Sequence, residues 1–157
     1  MTTEKWLIWD LDGVLVDTRH RIHHIKDRPG HYFKPDWKTY VSLAGGDSHY
    51  DDVAQLLWCL RRGGFFHMAV VTGRMENEGE NTREWLAQRG MLSSFEEFHF
   101  RKEGDFRRAP DIKLEVVKNH FLHVPNRRLV AVFEDHPGTV EALRAVGVTC
   151  LHVREYL

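Results

Sequence analysis

The chain alternates short apolar runs with stretches of helical period, and these two patterns predict its elements. Residues 6–9 (WLIW) form an unbroken apolar run that stops at Asp10, the mark of a buried strand ending in a turn. Residues 65–71 and 129–133 repeat it, the first running into Thr72-Gly73-Arg74 and the second into Glu134-Asp135, while 95–100 and 148–153 read as shorter strands. Helices fall between. Residues 51–64 start with two aspartates, carry Val53, Leu56, Leu57 and Leu60 on one face, and stop at Arg-Arg-Gly-Gly, a charge order that suits the helix dipole. After an acidic loop at 75–80, residues 82–88 make a helix bearing Trp85 and Leu86. Pro110-Asp111 opens another, with Asp111 as cap and Ile112, Val116, Val117 and Phe121 as its apolar positions, and 137–145 make the last, closing at Gly147. Alternating strand and helix implies an α/β fold with a parallel sheet and helices on both faces.

In such sheets the ligand crevice lies outside the carboxyl ends of the strands. The first strand ends at Asp10 with Asp12 two residues on, close enough for the carboxylates to repel; such a pair raises one pKa or recruits a cation. Hard oxygen ligands at an open site suit Mg²⁺. An EF-hand is excluded, because its Gly and Glu positions hold Leu15 and Arg21. Thr72, Gly73 and Arg74 offer a hydroxyl donor, a close backbone approach and a guanidinium fork, all suited to phosphate oxygens. Lys113, placed in the first turn of its helix, opposes the dipole there, and a locally unfavourable choice points to function; Lys118 in the same helix is the alternative lysine.

Composition narrows the field. At 157 residues, with 42% hydrophobic and 29% charged positions, the chain fits one domain with a sizeable core. A net charge of −1 gives no global field for membrane or for tight non-specific binding to nucleic acid. No apolar run approaches the roughly 18 residues of a membrane span, and no leader is evident at the start. Cys59 and Cys150 sit in apolar runs and read as core thiols, which fits a reducing, cytoplasmic setting. GxxxxGK[ST], GxGxxG and GxSxG motifs are absent, so nucleotide kinase, dinucleotide and serine-hydrolase chemistries are unsupported.

Residues 19–50 lack a clean period. Within 19–38 six cations stand against Asp27 and Asp36, a local +4 that suits an anionic substrate. His20, His23 and His24 have helical spacing, but no Cys or further ligand of matching spacing accompanies them to support zinc. Tyr32, Phe33, Trp37 and Tyr40 argue for order in this stretch and offer faces for stacking bases.

DLDGVLVDT, VVTGR, a lysine near a helix start and VFED, in that order, resemble the haloacid dehalogenase-like phosphatases over nearly the whole chain. The resemblance implies a three-layer Rossmann-like fold and Mg²⁺ as cofactor. It gives Asp10 as nucleophile, Asp12 as general acid/base, Thr72 as the hydroxyl that holds the phosphoryl group, Lys113 as the charge-neutralising lysine, and Asp135 as a metal carboxylate. Asp12 would add its backbone carbonyl to the metal, and Glu134 would reach it through water. RHRIHHI, Asp36-Trp37, TGR with TREWL, and GDFRR with DIK are similar to the phosphatase domain of phage and bacterial polynucleotide kinases. The chain reads as a single domain over 1–157, with 19–50, too short for a large cap domain, as a small cap or substrate segment. Its activity would be phosphomonoester hydrolysis through an aspartyl-phosphate, on nucleic-acid 3′-phosphate ends or nucleotides. Gly73, Arg74, Arg19, Arg101 and Arg108 are the expected substrate contacts. Other readings are a phosphatase or phosphotransferase for another phosphorylated metabolite, and a non-catalytic binding module of the same fold.

Overall fold

The structure, a computed structural model, describes residues 2–26 and 32–155; Asp27 and Arg28, counted in the basic segment, lie outside them. The first apolar run is strand β1 (Glu4–Trp9). A tight turn follows, in which the Leu11 carbonyl accepts from the amides of Val14, Leu15 and Val16. Strand β2 (Val16–Asp17) pairs antiparallel with β3 (Ser48–His49), tying off the base of the intervening segment. That segment carries helix α1 (Trp37–Ser42), whose first turn is capped by the Asp36 carboxylate accepting from the Thr39 amide. Helix α2 (Asp51–Gly63) ends at Gly64, whose φ of +69° favours glycine. Strand β4 (His67–Met75), helix α3 (Gly79–Gln88), strand β5 (Glu97–Arg101), helix α4 (Ala109–Val117), strand β6 (Arg127–Glu134), helix α5 (Pro137–Ala145) and strand β7 (Cys150–His152) complete the chain.

The sheet is parallel throughout, in the order β5-β4-β1-β6-β7. From β1 the chain builds outward through β4 to β5, then crosses back to lay β6 and β7 on the other side. β1 is therefore the switch point, and the crevice opens beyond Trp9. Strand alternation divides the core as the α/β reading requires. Leu7, Trp9, Met68 and Val70 pack towards Val53 and Leu57 of α2 and Trp85 and Leu86 of α3, while Trp6, Ile8, Ala69 and Val132 pack towards Val117 of α4 and Val140 and Leu143 of α5. Trp9 is fully buried and stacks on Phe133 at 3.9 Å between centroids, pinning β1 to β6 where the site begins.

Several details differ from the sequence reading. Thr72-Gly73-Arg74 lies inside β4, which runs on to Met75 after a pairing irregularity beyond Val71; the acidic stretch that follows is a short 3₁₀ turn (Glu76–Glu78) leading straight into α3. Arg108, not Asp111, occupies the cap position of α4, because Ala109 and Pro110 already have helical geometry; Lys113 therefore sits in the second turn. In α2 the buried stripe is Val53, Ala54 and Leu57, leaving Leu56 43% exposed. Cys59 lies on the exposed side of that helix, so of the two thiols Cys150 alone is buried. Among the described residues no helix is long and apolar enough to cross a membrane.

Candidate active site

β1 delivers Asp10, 5% exposed, to the mouth of the crevice, and its amide donates to the Phe133 carbonyl of β6. β6 delivers Glu134 and Asp135 beside it, and α4 brings Lys113 over the top. The Lys113 ammonium lies 3.0 Å from Asp10 Oδ1 and 2.7 Å from Glu134 Oε2. Burial works against the charge on Lys113, but Asp10 and Glu134 outweigh it and hold its pKa above the ordinary range. This replaces the dipole argument: the lysine is explained by two buried carboxylates, not by its place in the helix.

The acids do not share one environment. Burial and then the charge of Glu134 push Asp10 well above the usual carboxylate range, against the pull of Lys113. Burial and Glu134 push Asp135 up to about 7. Glu134 is also penalised by burial, yet Lys113 and its other donors bring it down to about 2. Its Oε1 accepts the amides of Asp135 and His136, and its Oε2 accepts from Lys113. Glu134 thus orients the lysine and the turn, while Asp10 and Asp135 line the cavity.

Asp10, Glu134 and Asp135 each bring one oxygen within 4.8 Å of the others. Three buried carboxylates against one ammonium leave an excess of negative charge that a divalent cation would neutralise, and all the donors are hard oxygens. Gly13 makes the cluster possible. Its φ is +81°, and a Cβ there would fall 1.9 Å from Asp135 Oδ2, so only glycine admits that carboxylate.

Asp12 stands apart from the cluster, held by arginines. Arg74 forks onto it, Nη2 at 2.6 Å from Oδ1 and Nε at 3.1 Å from Oδ2, and Arg21 adds Nη2 at 3.2 Å. Burial would raise its pKa, but the Arg74 guanidinium prevails and lowers it. Thr72 is 2% exposed, and its hydroxyl accepts from the Arg74 amide at 3.1 Å.

A cavity of about 680 Å³ opens above these groups, floored by Asp10, Asp12, Gly13, Lys113 and Asp135. One wall comes from the segment after β2 (Ile22, Ile25, Trp37, Tyr40, Val41), the other from the loop after β5 (Asp105, Phe106, Arg107, Arg108). Of the expected substrate contacts, Gly73, Arg74, Arg101 and Arg108 line it. Arg101 is spent on the loop itself, donating to the carbonyls of Gly73, Asp105 and Arg107. Arg108 remains 82% exposed at the rim, 3.2 Å from Asp111. Arg19 closes on Asp17 and does not line the cavity; neither does Lys118. His20 bonds Asp47, while the His23 and His24 rings lie against one another at a tilt of 39°, so the three rings form no common metal face. Sequence reasoning missed Arg21 and Asp47. Arg21 entered only as one of the cations of 19–38 and as an EF-hand mismatch, and Asp47 was not singled out; both are buried at the site.

The fold is haloacid dehalogenase-like. The family model described as the polynucleotide kinase PNKP phosphatase domain matches residues 4–156, and the chain belongs to that family. Among solved structures, a chain of the Pnkp1/Rnl/Hen1 complex has a TM-score of 0.77 at 20% identity, over 99% of this chain and 47% of that one. A hydrolase from Streptococcus pneumoniae has a TM-score of 0.59 at 17% identity, over 99% and 95% of the two chains. The HAD-hydrolase YfnB from Bacillus subtilis, bound to magnesium, has 0.65 at 12%, over 96% and 88%. At these identities the likeness establishes the fold, and this chain spans about half the length of the Pnkp1 complex chain it matches. Among curated proteins none matches the sequence.

Proposed function

We propose that the chain is a Mg²⁺-dependent phosphomonoesterase working through an aspartyl-phosphate on Asp10, acting on nucleic-acid 3′-phosphate ends or nucleotides. The observation that carries the reading is Asp10 itself, a buried carboxylate at the floor of an open cavity with an ammonium 3.0 Å away. An anionic nucleophile must approach an anionic phosphate, so charge neutralisation comes first. Mg²⁺ held by Asp10 and Asp135, with the Asp12 carbonyl and with Glu134 behind them, would supply positive charge at the phosphoryl oxygens. Lys113 adds a fixed charge, and the Thr72 hydroxyl and Gly73 amide offer donors. Asp10 attacks phosphorus as the ester oxygen leaves; Asp12, which Arg74 holds ionised in the free protein, must first take up a proton from solvent or substrate, gives it to that oxygen, then takes one from the water that releases phosphate and restores Asp10.

Cation binding has a sign that follows from Asp135. With its pKa at about 7 the carboxyl is protonated below that pH, and only the deprotonated form binds metal. Affinity should therefore fall by up to about tenfold for each pH unit below 7. The rise in melting temperature produced by Mg²⁺ should be clearly larger at pH 8 than at pH 6, a readout that needs no turnover. Equal shifts at the two pH values would contradict this assignment.

We assign the segment 19–50 as a small substrate-facing cap. Trp37 is 59% exposed and Phe106 84% exposed, one on each wall of the cavity. An exposed aromatic face can stack a base, worth roughly 1–3 kcal/mol where it does so. Arg108 at the rim adds a salt-sensitive contact to a further phosphate. The test compares kcat/KM for a 3′-phosphorylated oligonucleotide and the matching mononucleotide. The oligonucleotide should lead, by a margin that shrinks as salt rises; equal values at low and high salt would show that nothing beyond one nucleotide is read. The cellular setting that fits this reading is the cytoplasm.

A further inference from the structure

We propose that the Tyr40 hydroxyl binds the hydroxyl vicinal to the scissile ester, so that the site favours 3′-phosphates of ribose over those of 2′-deoxyribose; the proposal rests on the phosphatase reading above. Tyr40 lies in α1 on the cavity wall and is 8% exposed. Its ring is not available to a base. The Arg21 guanidinium lies over it at 3.9 Å from the centroid, and Trp37 meets it edge-on at 5.8 Å. The bonds of this residue run through its backbone, the amide donating to the Asp36 carbonyl and the carbonyl accepting from Arg21 Nη1 at 3.2 Å. Among the described residues the hydroxyl itself has no hydrogen-bond partner. Buried polar groups are nearly always paired, so an orphaned phenol on a cavity wall marks the place of a ligand atom.

Arg21 ties this hydroxyl to the chemistry. The guanidinium that covers the ring also reaches Asp12, with Nη2 at 3.2 Å from Oδ1, and Asp12 is the group that meets the leaving oxygen. Burial, and then the charge of Asp12, keep the phenol protonated well above its ordinary range, so it both donates and accepts at any working pH. A leaving oxygen at Asp12 therefore has Tyr40 as a neighbour on the cap side, where the substituent of the adjacent carbon is presented. The surroundings select that substituent. Arg21 and Arg74 are taken up by Asp12 and Asp47, which makes this a poor seat for a second phosphate. Ile22, Ile25 and Val41 make the wall apolar, and Thr18 supplies a second side-chain hydroxyl. A neutral hydroxyl set among aliphatic carbons fits a sugar, whose C–H face packs on the isoleucines while its hydroxyl exchanges a hydrogen bond. Trp37, the face assigned above to a base, touches the Tyr40 ring, so the sugar attached to that base passes the phenol. In a nucleoside 3′-phosphate the vicinal group is the 2′-hydroxyl, the one feature by which a site tells ribose from deoxyribose.

The test compares kcat/KM for a ribonucleoside 3′-phosphate and its 2′-deoxy counterpart, in the wild type and in Tyr40→Phe, with Mg²⁺ present. One neutral hydrogen bond that water can replace gives a selectivity of about 5–10-fold. The wild type should favour the ribonucleotide by that margin, and Tyr40→Phe should bring the ratio to about one through a loss on the ribonucleotide. Equal values in the wild type, or a ratio that survives the substitution, would overturn the proposal; the phosphatase reading would stand, since both compounds still release phosphate. A wild type that releases phosphate from neither would remove the two readings together. A second readout needs no turnover. Phenylalanine keeps the ring under Arg21 and removes a hydroxyl that bonds nothing in the protein, so the melting temperature should stay level or rise. A clear fall would show that the hydroxyl serves the fold, and the proposal would fail on that result too.

Discussion

Asp10→Asn is expected to lower turnover by about 10⁴-fold or more while the protein still folds, because the substitution keeps shape and removes only the attacking oxygen. The stability side has its own sign. Asp10 is buried beside two other carboxylates, and burial is the larger of the forces opposing its charge. An amide there relieves repulsion with Glu134 and Asp135 and gives up one contact to Lys113, which keeps its shorter bond to Glu134 at 2.7 Å. The melting temperature in the absence of metal should stay level or rise. Steady-state rates and thermal melts on one preparation check both halves. More than a few per cent of wild-type turnover in this variant would mean that another group attacks.

Lys113→Met should be as severe for activity and far worse for stability. Methionine fills the volume but leaves Glu134 and Asp10 buried without their cation, and breaking a buried pair this way costs about 3–5 kcal/mol. The loss should depend on pH in a defined direction. In the folded wild type Glu134 titrates at about 2, below its ordinary 4.5, so its pairing stabilises the fold fully above 4.5 and ceases to do so as pH falls through about 2. The variant lacks that contribution. Its deficit relative to wild type should be largest at neutral pH and should narrow below about 4.5, where the unfolded carboxyl is itself protonated. Urea unfolding at pH 7 and pH 3.5 measures the gap at each, and a deficit independent of pH would contradict the assignment of Lys113 as partner of Glu134.

The parts of this site that were legible in the sequence are those fixed by a strand end. Asp10 and Glu134-Asp135 each follow an apolar run, and a parallel sheet brings the ends of neighbouring strands together whatever lies between them. Lys113 was legible as an anomaly, although for the wrong reason: it is not in the first turn, and its oddity is burial among carboxylates. Arg21 and Asp47 were not legible. They pair across 26 residues of chain without clean periodicity, and nothing in a local pattern distinguishes a buried arginine from a solvated one. Leu56 and Cys59 went wrong for a related reason. An apolar residue on an amphipathic helix can lie just beyond the buried stripe, and α2 turns Ala54 inward in place of Leu56. Arg74 shows a third kind of gap. Its side chain looked free to fork onto a phosphate, and the structure places that fork on Asp12, a pairing that joins two strand ends and that no local pattern records.

The central claim is that Asp10 carries the phosphoryl group during turnover. A substrate labelled in its terminal phosphate, mixed with excess enzyme and Mg²⁺ and quenched in acid within a single turnover, tests this directly. Label should remain on the protein, map to the peptide containing Asp10, come off with hydroxylamine as an acyl phosphate does, and be absent from Asp10→Asn. Label on a different residue, or none at any time while phosphate is still released, would contradict the account.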